Sequence, residues 1–133
     1  MKKYTAKLKL KKLFERVQFH EKVIDEIREL VIGKGIEEQF INQLEKNLNI
    51  LETFGLNAVQ HGNFEKLKGC EDLFSMKFKG KNMNLRMLYS YDVFTEIIML
   101  HFFYERDDSR KDSYEDHIPI ALARKEEMKR YEK

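Results

Sequence analysis

The chain has 133 residues, of which 42% are hydrophobic and 36% charged, with a formal net charge of only +2. That is apolar material enough for one compact core under a heavily charged surface. It is too little net charge for a generally basic nucleic-acid binder, so any preference for an anion must come from clustered cations. A lone cysteine, Cys70, excludes an internal disulfide and suits a reducing cytoplasm.

The N-terminal dozen, MKKYTAKLKLKK, is basic and lacks the apolar stretch of a signal peptide. It reads as a tail or an early strand. No apolar run approaches the about 20 residues that a membrane span needs, so a soluble, cytoplasmic protein is expected. From Leu13 to Phe19 the pattern alternates loosely and predicts a strand. Val23, Ile24, Ile27, Leu30 and Val31 follow helical spacing, and Gly33 and Gly35 end that helix. A second helix carries Ile36, Phe40, Ile41, Leu44, Leu48 and Leu51 on one stripe, with Gly55 at its C-terminal cap. The short break predicts an antiparallel helical hairpin. Residues 56–72 carry no clear pattern.

Three successive strands follow, between Leu73 and Phe103, with Gly80-Lys81-Asn82 and then Asp92 at the turns. Strand side chains alternate between faces. Phe74, Met76 and Phe78 oppose Ser75, Lys77 and Lys79. Leu85, Met87 and Tyr89 oppose Asn84, Arg86 and Ser90. Ile98, Leu100 and Phe102 oppose Ile97, Met99, His101 and Phe103. One face is apolar and takes the helical hairpin as its cover. The other collects Lys77, Lys79, Arg86 and His101, and its natural guest is an anion. Residues 107–113 read as a charged loop. A last helix is expected from about His117 to Tyr131, with Pro119 in its first turn and Ile118, Ala121, Leu122 and Met128 as its apolar face. The order predicts an α+β fold of two layers, in one domain over residues 1–133, with the helices on one face of the sheet.

Several stretches resemble the RelE/HigB/ParE superfamily of bacterial type II toxins, in its phage-derived, HigB-like branch. FEKLKGCEDLFSMKF is similar to that family's LKG…LWELRV. NLRMLYSY is similar to YRVLY, with Arg86 at the arginine, and IIMLHFFYER is similar to IVLLHGFVKK. Ala121 and Arg124 match a late A…R pair. Lys77-Phe78-Lys79, then Arg86 and Arg106, also have the spacing of the RelE group. Glu105 departs from the pattern, standing where the family carries a cation.

The resemblance implies a RelE-like fold and the toxin of a toxin–antitoxin pair. It implies metal-independent, cofactor-free cleavage of messenger RNA, on the ribosome or free. Lys77 would be the base, Arg86 and Lys79 would hold the phosphate, and Arg106 would be the acid. His101 and Glu105 are alternative acid–base groups. Tyr114 is placed to stack on a base or donate a proton, Tyr104 to pack, and Arg110 and Lys111 to contact RNA. The implied partner is a small helix-turn-helix antitoxin, and no membrane. Two other readings stay open: a ParE-like inhibitor of DNA gyrase, and a degenerate homologue that only binds a partner. His20, His61, His117 and Cys70 share no ligand spacing, so no metal site is expected.

Overall fold

A computed structural model describes residues 16–69, 72–91, 96–105 and 110–131, without the side chains of 110–113 and 129–131. The basic N-terminal dozen, Cys70, Asp92 and Arg106 lie outside the described residues. In chain order the elements are β1 (Val17–Phe19), α1 (Glu21–Val31), α2 (Glu37–Phe54), a 3-10 turn (Gly55–Gln60), β2 (Phe64–Lys66), β3 (Phe74–Gly80), β4 (Met83–Tyr91), β5 (Ile97–Tyr104) and α3 (Arg110–Tyr131). Among the described residues the strands form one sheet in the order β1-β5-β4-β3-β2. β1 runs parallel to β5, and the other pairings are antiparallel.

The expected α+β fold is present, with the helical hairpin on the sheet. Val23, Ile24, Ile27 and Val31 of α1 and Phe40, Leu44, Leu48 and Leu51 of α2 bury their stripes against Phe74, Met76, Phe78, Leu85, Met87 and Tyr89. The aromatic centre of this core is Phe40, whose ring lies 4.9 Å from Phe78 and 5.2 Å from Phe102. The hairpin loop closes on Lys81 and Asn82, with Asn82 in the left-handed region at φ 59°. Asparagine tolerates that region better than other side-chain-bearing residues.

Three expectations are corrected. The helices do not all lie on one face: α3 covers the opposite face, where Ala121 and Met128 pack on Leu73, Leu88, Ile98, Leu100 and Phe103. This last helix also begins at Arg110, so residues 110–113 are helical and Pro119 sits in the interior. Pro119 is exposed, so solvent can serve the carbonyl its missing N–H leaves free. Tyr114 and Ile118 on one side of the proline and Ala121 on the other pack on the sheet together. Third, the strict alternation expected in the third of these strands, β5, breaks. Leu88 pairs with His101 while Tyr89 pairs with Met99, so Leu100 is an extra residue in a bulge. Ile97, Met99 and Phe102 therefore face the hairpin. Ile98, Leu100 and Phe103 face α3, as does His101. The pattern-free stretch 56–72 supplies a 3-10 turn and edge strand β2.

β2 pairs with β3 only from Phe74 to Met76. Beyond it, a ladder of amides one helical turn apart on α2 takes over the edge. Asn47 donates to the Lys77 carbonyl (3.4 Å), Gln43 to that of Lys79 (2.7 Å) and Gln39 to that of Lys81 (3.3 Å). Gln43 also accepts from the Lys79 N–H at 3.2 Å. An uncovered strand edge invites pairing with another chain, and here side chains replace the missing strand. Gln43→Ala should lower stability by about 1–2 kcal/mol, two hydrogen bonds at about 0.5–1.5 kcal/mol each, read by urea denaturation. A change below a few tenths would show that water serves that edge equally well.

Candidate active site

The face of the sheet beneath α3 is built in registered rows. Lys77 lies opposite Arg86, and Arg86 opposite Phe103. Ser75 lies opposite Leu88, and Leu88 opposite His101. The sequence placed Lys77, Arg86 and His101 on one side, and the register agrees, although His101 arrives there through the bulge. The face is not an open cationic floor, because α3 crosses it and both Arg86 and His101 are buried.

Lys77 and Arg86 are like charges directly across a strand pair, an arrangement that ordinarily costs stability. Each has its own carboxylate. Half-exposed Lys77 lies 3.9 Å from Glu65, and buried Arg86 pairs closely with buried Glu105. Asn84 organises that buried pair. Its amide oxygen accepts from Arg86 Nη1 (3.1 Å), and its amide nitrogen donates to the Glu105 carbonyl (2.8 Å). Its backbone carbonyl accepts from the Glu105 N–H at 3.0 Å. The pair is incompletely satisfied: Arg86 Nε and Glu105 Oε2 are buried without a hydrogen-bond partner among the described residues. Glu105 is thus committed to Arg86 rather than open as a base. Lys79 is exposed, opposite Asn84.

α3 brings a stripe of side chains onto this floor. Tyr114 shares a 3.0 Å hydrogen bond with Ser75. Burial raises its phenol pKa above the ordinary value, the Ser75 bond and the Arg86 charge opposing, so it remains a proton donor at neutral pH. The backbone of Arg110 and Lys111 begins the same helix; their side chains, like the whole of Arg106, lie outside the described residues. Tyr104, expected to pack, is 52% exposed.

One turn from Tyr114, His117 completes a second cluster that sequence reasoning missed. His117 Nδ1 and His101 Nε2 are 2.6 Å apart, and His101 Nδ1 lies 2.8 Å from Glu26 Oε2. The other oxygen of Glu26 accepts from the Phe102 N–H and from Arg124 Nη1, both at 2.9 Å. Arg124 Nη1 also donates to the Leu100 carbonyl at 3.0 Å, so the bulge carbonyl is satisfied. The His117 ring stacks on Phe103, 3.9 Å between centroids at 11°, and Tyr114 meets Phe103 edge-on. A cue was present in the sequence: Tyr114, His117, Ala121 and Arg124 recur at three- and four-residue steps, the mark of one helix face. Glu26 had no such cue, since it reaches the cluster from α1. Farther along, His20 caps α1 by accepting from the Lys22 N–H (3.1 Å) and meets Glu127 of α3 at 3.2 Å.

Burial holds the His117 pKa below its ordinary 6.5, and the nearby His101 adds to the effect against Asp116 and Glu26. Burial alone would raise Glu26, but hydrogen bonds from His101 and Arg124 outweigh it and hold the carboxyl below its ordinary 4.5. Both shifts act in one direction on stability. A histidine with a depressed folded pKa takes up fewer protons folded than unfolded, and so does a carboxylate with a depressed one. Stability should therefore fall as pH drops below about 6.5, the ordinary histidine value, through His117, and fall again below about 4.5 through Glu26. Urea midpoints across that range should show this, and His117→Gln should flatten the first part. A midpoint rising toward acid would contradict it.

Among the described residues no group of three or more His, Cys, Asp or Glu side chains is arranged to hold a metal ion, and no helix is long and apolar enough to cross a membrane.

Residues 34–126 match the profile of the phage-derived protein Gp49-like family. No curated protein matches the chain. A solved structure of the E. coli toxin RelE, a double arginine-to-alanine variant in the free state, aligns with a TM-score of 0.45 and 19% identity, over 77% of this chain and 95% of that one. The profile spans well over half the sequence and all of the sheet beyond β1, and the chain belongs to the phage-derived Gp49-like family of RelE-like toxin proteins.

Proposed function

We propose that the protein is the toxin of a toxin–antitoxin pair and cleaves messenger RNA, on the ribosome, without a metal. The supporting observation is the cross-strand pair of cations, Lys77 and Arg86, on the face that also holds Tyr114 and the histidines. Like charges in register are unfavourable for folding alone and become favourable when a phosphate lies between them. In this reaction the ribose 2′-oxygen bonds to phosphorus, its proton passes to a base, the P–O5′ bond breaks and the 5′-oxygen leaves with a proton. The products are a 2′,3′-cyclic phosphate and a 5′-hydroxyl. Lys77, Arg86 and Lys79 would stabilise the phosphate charge, and Arg106 would be the acid. An antitoxin, a small helix-turn-helix protein, would neutralise the protein by covering this face.

Primer extension on translated message in cells expressing the protein tests this reading. New 5′ ends are expected with the wild type. Lys77→Ala, at a half-exposed position, should reduce them about 100-fold or more, as loss of one transition-state donor does. A wild type that produces no such ends, or a Lys77→Ala variant that cuts equally, would reject it. One observation favours a second reading: Glu105 already neutralises Arg86, as suits a homologue that binds a partner without chemistry. Wild-type expression that is harmless without any antitoxin would support that reading. Inhibition of gyrase supercoiling without RNA cleavage would point to a ParE-like activity.

A further inference from the structure

Cleavage through a 2′-hydroxyl needs a base, and the groups that the strand pattern offers for that role are engaged elsewhere. His101 is 5% exposed, with its two ring nitrogens against Glu26 and His117. Glu105 is 2% exposed and paired with Arg86. Lys77 is paired as an ammonium with Glu65, and an ammonium has donors but no lone pair. The other half of that last pair has none of these restrictions. Glu65 stands in the middle of edge strand β2, opposite Ser75, and so shares the face of Ser75 and Lys77. Its side chain is 47% exposed, and its 3.9 Å contact with Lys77 Nζ is an ion pair too long to be a hydrogen bond. After burial and the charge of Glu105, the charge of Glu65 also helps the Tyr114 phenol keep its proton, which places the carboxylate near the foot of α3.

We propose that Glu65 is the base that takes the 2′-hydroxyl proton, in place of Lys77, which instead holds the phosphate. The inference rests on the endonuclease reading and supplies its base. Displacement at phosphorus runs in line, so the attacking and leaving oxygens lie on opposite sides of it. For a phosphate between Lys77 and Arg86, Glu65 lies beyond Lys77, on the β2 side. Phe103, with His117 stacked on it, lies beyond Arg86, on the β5 side. The attacking oxygen thus enters from the β2 side. As it bonds to phosphorus, its proton moves to a Glu65 carboxylate oxygen, which as an anion can only accept. The P–O5′ bond breaks, the 5′-oxygen takes its proton from the acid on the opposite side, and Glu65 returns the one it accepted to solvent. A carboxylate repels a phosphate, and the Lys77 ammonium between them offsets that repulsion. Glu65 belongs to the stretch 56–72, whose sequence shows no pattern, and no strand parity could point to it.

The test is single-turnover cleavage of message programmed into purified ribosomes, with binding to those ribosomes measured beside it. Glu65→Gln should cut about 100-fold or more slowly than the wild type. It should bind at least as tightly, because the change removes a negative charge beside a polyanion. A carboxylate that served only the surface of β2 would give the opposite sign, an equal or faster rate. Glu65→Asp, which keeps the carboxylate, should recover part of the rate. The urea midpoint of Glu65→Gln should match the wild type, as suits a half-exposed position. Message with sulfur in place of the 5′-bridging oxygen has a leaving group that needs no proton, so the Glu65→Gln defect should persist on it. In a Lys77→Ala background, Glu65→Gln should slow cleavage further. Three results would each overturn the assignment and leave the endonuclease reading intact. One is a Glu65→Gln rate equal to wild type. Another is full recovery on the sulfur-bridged message, which would make Glu65 the acid. The third is no added loss in the Lys77→Ala background, which would mean that Glu65 only places Lys77. A wild type that cuts nothing would overturn both readings.

Discussion

Glu105→Ala should destabilise the protein by about 3–5 kcal/mol, the cost of leaving a buried guanidinium without its counter-charge. Arg86 and Glu105 are each only 2% exposed, so solvent cannot replace the lost carboxylate. Asn84 would still accept from Nη1, and so would the Leu85 carbonyl at 3.0 Å, but neither carries charge. Typical domain stabilities are about 5–15 kcal/mol, so this one change would remove a large share. The double change Arg86→Met with Glu105→Leu should recover most of the loss, because exchanging a whole buried ion pair for apolar groups is often neutral or better. Urea denaturation of the two variants separates the explanations. If the double variant is as weak as Glu105→Ala, the packing of the two side chains matters and their charge does not. Under the proposed cleavage reaction, Glu105 would have to release Arg86 before the guanidinium could hold a phosphate.

The residues that carried most of the sequence reading were those whose neighbours in the chain are also their neighbours in the sheet. β3 and β4 were legible because Phe74, Met76 and Phe78 alternate cleanly with polar residues and a short turn joins them. β5 was not. Ile97, Ile98, Met99 and Leu100 are apolar at both parities, so the one-residue bulge leaves no mark in the pattern, yet it decides which way His101 points. Strand parity likewise gave the side on which Arg86 lies but not what covers it. That depended on α3, whose start was hidden by a rule about Pro119 that packing on either side of the proline overrides. The Glu26–His101–His117 cluster draws one residue from each of three elements distant in sequence, and no local spacing records it. Arg124 was visible as a family-like position, and the structure gives the physical reason it is there: it ties α3 to both Glu26 and the bulge carbonyl.

Phe40→Ala should cost a similar about 3–5 kcal/mol, for an unrelated reason. Phe40, Phe78 and Phe102 are 0%, 0% and 1% exposed and enclose one another, with Phe78 and Phe102 meeting edge-on at 5.9 Å. Phe40 comes from α2 and the other two from β3 and β5, so the cavity left by truncation opens at the joint that fastens the hairpin to the sheet. α2 also carries the amide ladder along the edge of β3, and loosening that joint weakens both. A milder pair of changes tests whether the two faces act separately. Phe40→Leu and Glu105→Gln alter opposite sides of the sheet and share no partner, so their effects on the urea midpoint should add to within about 0.5 kcal/mol. Coupling well above that bound would mean that β5, which carries Phe102 to one face and His101 to the other across its bulge, transmits strain between core and site.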